Sequence, residues 1–449
     1  MHGNYLLFCV AFRNDNKQFE EAIQMQKILN QVEWIERANE VLPGGGFGNF
    51  DPSVFIRQGK GSRIWDENGE EYIDYLIGSG PMLIGHSHPE VEEAILSQIS
   101  KGTTFFANNV LAVELAEEIC RSVASAEQVR YVSTGGEADM YAIRLARAYT
   151  KRQKILKFEG GYHGMCSEAQ MSLAPTTLSN FPQAVPDSAG IPESVKSEVL
   201  IAPFNDIEFI EKFLNNESSD IAAVIVEPLQ RLIPPIKDFL PTLRKLCNKH
   251  GILLIFDEIV TGYRFAYGGA QEHYGVTPDI CTLGKIIGGG FPLAAIAGRK
   301  DIMAHFDKNK VGSEGFLMQV GTLSGNPIAS IAGLKTLEVL RRPGSYDKLR
   351  NIGQRIMDMA SEKLSSQGIP HKIVGDQTLF DILFTDQEIF NYRDVQKNNT
   401  NQYTLFNKVL KENSVFKPIG KMYISLALTE DDLNQTEMAI EKASLALAN

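Results

Sequence analysis

The 449-residue chain is poor in several things that would otherwise direct its reading. It has 5 cysteines (Cys9, Cys120, Cys166, Cys247 and Cys281), scattered and without a CxxC pair. They read as reduced thiols, which argues against both a disulfide framework and a zinc site. Positive charge is in deficit, with a formal net charge of -11, so no basic surface recommends nucleic acid or an anionic membrane. No apolar run approaches the roughly 20 residues of a spanning helix. The one N-terminal candidate, Tyr5 to Phe12, is short, lacks a basic region before it and has no small-residue cleavage site after it. It reads as an extension, with Met25 a second candidate start, and a cytoplasmic location is expected. There is no internal repeat, no low-complexity tract, no Walker A loop and no GxGxxG fingerprint.

What remains is ordinary globular composition, 43% hydrophobic and 22% charged, enough for a large core and two domains. Ile28, Val32 and Ile35 recur at helical spacing, and Leu42-Pro43-Gly44-Gly45-Gly46 should end that helix. Arg63 to Asp74 reads as a hairpin with Asn68-Gly69 supplying a positive-φ turn. Leu115, Ile119 and Val123 mark a helix, Val129 to Ser133 a strand, and a glycine-led helix follows through Met140, Ile143 and Arg147. Ile155 to Phe158, Ala222 to Val226 and Ile252 to Phe256 read as buried strands separated by helices, notably Phe239 to Lys249. Such alternation predicts an α/β fold with a mainly parallel sheet covered on both faces. A helix from about Pro327 to Leu340, the break at Arg342-Pro343-Gly344 and a terminal helix from Asp431 set off a smaller C-terminal domain.

Polar clusters stand where the strands end: Thr134-Gly135-Gly136-Glu137, Glu159 to His163, Glu227-Pro228 and Asp257-Glu258. Open α/β sheets bind ligands at that edge. Gly135 and Gly136 open a helix and can offer backbone N–H groups to a phosphate, although a glycine pair is commonly only a tight turn. Asp257 closes a buried strand and needs a cation or donors: a cap or ion pair on one reading, a partner for a heterocyclic nitrogen on the other. Tyr162 presents a flat ring, beside His163. Lys285, in Thr282-Leu283-Gly284-Lys285-Ile286-Ile287, has apolar neighbours that disfavour its ammonium form and leave a nucleophilic amine. An amine, a carboxylate for a ring nitrogen, a phosphate turn and an aromatic plate are the parts of a pyridoxal 5'-phosphate site.

With those residues in place, the chain from about Val41 onward resembles the class III, fold-type I aminotransferases, and within them the glutamate-1-semialdehyde aminotransferase/aminomutase group. The runs FDEIVTGYRF, GGAQEHYGVTPDICTLGKIIGGGFPLAAIAGR, GTLSGNP, GHSHPEV, AIRLARAYT and KFEGGYHG carry the resemblance. It implies a three-layer large domain over 76–335, a smaller α+β domain over 336–449, and an N-terminal helix and hairpin over 1–75 packed with the small domain. It implies that Lys285 bonds the cofactor and shuttles the substrate proton, that Asp257 pairs with the ring nitrogen, and that Val260 and Tyr162 flank the ring. His163 and Glu227 join the cofactor site, and Gly135 and Gly136 donate to the phosphate. Thr322 reaches the phosphate across a homodimer interface, giving shared active sites.

The resemblance thins in the substrate region. The mutase group usually places an arginine soon after its PGG turn, whereas Gly46 to Pro52 has none. Ser79 stands where the mutases tend to have tryptophan, and the phosphate turn begins with threonine. Arg231 and Arg393 are left as alternative grips for a substrate carboxylate, each also readable as a surface ion-pair residue. Phe47, Phe50, Phe105 and Phe106 are pocket or core candidates. The leading expectation is a ping-pong aminotransferase acting on an amino-donor and a carbonyl acceptor. The alternatives are an isomerase, either an aminomutase or an amino-acid epimerase, and a cofactor-binding protein without turnover.

Overall fold

The computed structural model describes residues 31–49, 51–417 and 420–448. The Tyr5 to Phe12 segment, Cys9, Met25, Ile28 and Phe50 lie outside the described residues. Two compact units divide the chain; of the described residues, the smaller takes 31–49, 51–59 and 64–71.

In the smaller unit the helix Gln31–Val41 stops at Pro43-Gly44-Gly45, where both glycines take positive φ (71° and 72°). The expected turn differs in one respect. Of Asn68-Gly69 only Gly69 is left-handed, at φ 87°. The Asp66 carboxylate accepts from the N–H groups of Asn68 (3.0 Å) and Glu70 (2.9 Å), which bends the chain without requiring Asn68 to be left-handed.

The larger unit is built on a seven-stranded sheet. In spatial order its strands are Gln128–Val132, Ala294–Gly298, Ile280–Leu283, Leu253–Glu258, Ile221–Val226, Lys154–Phe158 and Val199–Ala202. Ala294–Gly298 runs antiparallel to both neighbours, and the other pairings are parallel. The central strands are buried on both faces because alternate residues feed two cores. Leu254 and Phe256 pack with Leu243 and Leu246 of the helix Phe239–His250. Ile225 and Ile255 pack with Ala138, Ala142 and Ile143 of the helix Gly135–Thr150. The strand expected to end at Phe256 continues through Asp257 and Glu258, since the parallel register pairs Asp257 with Thr282 and Glu258 with Leu283.

After the helix Pro327–Leu340, the long helix Ser345–Ser366 leads into a three-stranded antiparallel sheet of Lys372–Asp376, Leu379–Leu383 and Met422–Tyr423. The helices Thr400–Glu412 and Glu430–Ala448 complete that region. Inside it Lys417 is ion-paired with Asp381 at 2.6 Å, both side chains being almost inaccessible, and the Tyr403 hydroxyl donates to the same carboxylate.

Candidate active site

The strand ends of the large sheet bring most of the sequence candidates together. Asp257 points to the face covered by the helix Gly135–Thr150 and is 5 % exposed. One carboxylate oxygen stands 2.8 Å from His163 Nδ1, and the other accepts from the Ile259 N–H at 3.1 Å. His163 is buried, and its Nε2 has no hydrogen-bond partner among the described residues. The next residue of that loop is Gly164, at φ 83°; a Cβ there would lie 2.4 Å from Gly136 Cα, so glycine lets the loop rest on the start of the helix.

That helix start is well organised. Thr134 caps it and forms a reciprocal capping box with Glu137, whose side chain accepts from the Thr134 and Ser133 N–H groups. The Gly135 and Gly136 N–H groups remain without a partner among the described residues, at the positive end of a 16-residue helix. This is a fitting place for a phosphate.

Lys285 follows the strand Ile280–Leu283 through Gly284, at a left-handed φ of 49°. Ile286 and Ile287 are buried beside it. Burial lowers its amine below the usual lysine range, with Lys421 and Arg264 acting in the same direction and Tyr423 and Asp257 opposing. Tyr162, half-exposed, donates its N–H to Glu227 at 2.8 Å, which anchors the loop after Lys154–Phe158 to the end of the next strand. Val260 is half-buried two residues after the strand end, and its carbonyl accepts from Arg264 Nε at 3.0 Å.

The substrate candidates separate. Arg231 is exposed, at φ 60°, with its guanidinium 5.4 Å from the centre of the Tyr162 ring. Arg393 is instead committed to Glu159, by Nε at 2.7 Å and Nη2 at 2.9 Å, and donates also to the Ser179 carbonyl. Glu159 is buried, so this fork answers a protein carboxylate and is not available as a grip. Ser79 is exposed at φ 65°, next to Gly80, whose carbonyl accepts from Arg264. Thr322 lies exposed in the turn before the helix Pro327–Leu340. Phe47, Phe105 and Phe106 are exposed too, so none of the three packs in a core of the described residues.

Four further residues belong here that the sequence reading does not single out. Arg264 is fully buried, stacks 5.0 Å from the Tyr423 ring centre and keeps Nη1 unpartnered among the described residues. Lys421 lies within electrostatic reach of Arg231, Glu227, Arg264 and Asp257, and burial pushes its amine down to about 7. Asp139 and Thr282 complete the floor under Asp257. The sequence signal for Asp139 is an aspartate inside the apolar stripe Ala138, Ala142, Ile143 and Ala146. Arg264 carries no such signal, because Tyr423 and Gly80, which pack on it, are distant in sequence, and the charged groups facing Lys421 are distant too.

A match to the family model described as aminotransferase class-III covers residues 48–443. The glutamate-1-semialdehyde 2,1-aminomutase of Desulforamulus reducens is 40% identical over 431 residues, covering 93% of this chain and 98% of that protein. Among solved structures, an omega-transaminase from Sphaerobacter thermophilus aligns with a TM-score of 0.88 and 32% identity, covering 93% of this chain and 98% of that one. A transaminase with PLP bound aligns with a TM-score of 0.84 and 30% identity, covering 93% and 97%. The buried carboxylate, the amine and the free N–H pair fit the same group, and pyridoxal 5'-phosphate is the cofactor. With the family model matching nearly its whole length, the chain belongs to the class III aminotransferases.

Proposed function

We propose that the protein is a ping-pong transaminase for a carboxylate-bearing amine and a carbonyl acceptor, with the chemistry at Lys285 and the carboxylate held by Arg231. The observation that carries the reading is the contrast between the two arginines: Arg393 is bound by a buried glutamate, while Arg231 stands exposed beside Tyr162. A transaminase must admit two different molecules in turn. The small Ser79, and the lack of an arginine after the PGG turn, suit exchange better than retention of one molecule.

Bound pyridoxal phosphate supplies an electron sink for the bond broken at the substrate. Gly135 and Gly136 hold its phosphate by backbone N–H groups, and Asp257, steadied by His163, holds a proton at its ring nitrogen. Val260 and Tyr162 bound the ring faces, and Glu227 fixes Tyr162 through its N–H. Lys285, whose ammonium form burial disfavours, would take the proton from the substrate α-carbon and pass it to the carbon beyond the substrate nitrogen. Thr322 serves the phosphate of a partner subunit in a homodimer. The Asn109 side chain donates to the Gly325 carbonyl at 2.8 Å, tying the Thr322 turn to exposed Phe106 and Val110, and Val320 and Leu323 are exposed on the turn. That apolar surface is what a second copy would cover.

The second reading is an aminomutase, and the name of the 40% identical relative favours it over transamination. Single-turnover assays separate the two. A donor amine without acceptor should give one equivalent of keto product and an altered cofactor absorbance, with sustained turnover only after a keto acid is added. Sustained conversion of glutamate-1-semialdehyde with no acceptor would overturn the transaminase reading.

A further inference from the structure

Asp139 is a carboxyl that the chemistry above leaves unused. It is 1 % exposed on the helix Gly135–Thr150, facing the sheet. The Thr282 hydroxyl donates to Asp139 Oδ1 at 2.6 Å and stands 3.5 Å from Asp257 Oδ1. Two carboxyls from different elements thus meet at one hydroxyl in a site nearly closed to water. Ionising both there is strongly unfavourable, so one keeps a proton. Asp257 has the donors that favour a carboxylate, His163 and the Ile259 N–H. The charged groups that weigh most on Asp139 among the described residues are Asp257 and Glu227, both acidic, and burial and the Asp257 charge push it well above the usual carboxylate range.

We propose that Asp139 is a neutral, hydrogen-bond-donating partner of Asp257, a positioning residue that steadies the Asp257 carboxylate and draws off part of its charge. It would thereby set how tightly Asp257 holds the proton at the cofactor's ring nitrogen. The inference rests on the assignment of Asp257 to that nitrogen. The groups facing Asp139 are Asp257 and Thr282 from the sheet, Glu227 from the neighbouring strand end, and Tyr162 and Cys166 from the loop after Lys154–Phe158; His163 acts through Asp257. Removing the donor concentrates negative charge on Asp257 and makes it a stronger base.

The test compares wild-type holoenzyme with the variants Asp139→Asn, Asp139→Ala and Asp257→Asn. The readouts are the pH midpoint of the cofactor's visible absorbance, the cofactor Kd from fluorescence quenching, and infrared difference spectra at neutral pH. Asp139→Asn keeps a neutral donor, so midpoint and Kd stay within about twofold of wild type, while a protonated-carboxyl infrared band disappears. Asp139→Ala loosens the cofactor about tenfold and moves the midpoint by about half a pH unit. A merely structural side chain would lower thermal stability without moving the midpoint. Two results overturn the proposal: no protonated band lost in Asp139→Asn, or a wild-type midpoint in Asp139→Ala while Asp257→Asn shifts it. If Asp257→Asn itself leaves the midpoint unchanged, the ring-nitrogen assignment fails first, and this inference with it. Where the alanine variant does not fold, the infrared comparison with Asp139→Asn decides.

Discussion

Asp257 and Arg231 both lie within electrostatic reach of Lys421 but are held by different means. Asp257 is the penultimate residue of a central strand whose register is fixed on both sides, and His163 and the Ile259 N–H hold its two oxygens. Arg231 sits in a bend at positive φ, exposed, with an aromatic ring as its contact. On the roles proposed above, a floor built this way would fix the cofactor, whereas a rim built this way can be altered with little effect on the fold. The same contrast runs through the sequence, where the runs around Asp257 and Lys285 follow the class III pattern and Gly46 to Pro52 departs from that of the mutase group.

Substitutions can break or sharpen that contrast. The largest effect is expected at Lys285→Ala, which should lower turnover by on the order of 10⁴ and abolish the borohydride-sensitive visible absorbance. Next is Asp257→Asn, expected to cost on the order of 10² in kcat, measured at saturating donor with the folded fraction checked by circular dichroism. A rim change should act differently. Arg231→Ala should raise KM for a carboxylate-bearing donor by about tenfold and leave KM for a simple amine unchanged. An equal rise for both would erase the distinction between rim and floor. The smallest catalytic effect is expected at Arg393→Ala, which should leave both KM values near wild type. It strands the buried Glu159 and should cost about 1–3 kcal/mol of stability, read from the denaturation midpoint.

The legible parts of the molecule were those where one short segment carries its own reason. Ile252 to Phe256 is apolar enough to be a buried strand wherever it lies, so the acid that follows it stands out. Thr134 to Glu137 writes its own helix cap. Lys285 is flanked in the chain by apolar residues that are themselves buried, Leu283, Ile286 and Ile287. Arg264 is the opposite case: it reads as an ordinary surface cation and is fully buried against Tyr423 and Gly80, both far away in sequence. Arg393 was readable as a grip or as an ion-pair residue, and only the fold brings Glu159 to it. Asp139 needed a helical projection to show that an acid had been placed in an apolar stripe.

The left-handed backbone at Lys285 carries a cost that the fold alone does not require. A side chain with a Cβ is disfavoured there by roughly 1–2 kcal/mol, and glycine would sit without strain. If Lys285 has the role proposed above, Lys285→Gly is a substitution that relieves backbone strain while removing the chemistry. On the proposed role of Lys285, that strain is what it costs to set an amine rather than a bare backbone at the end of the strand.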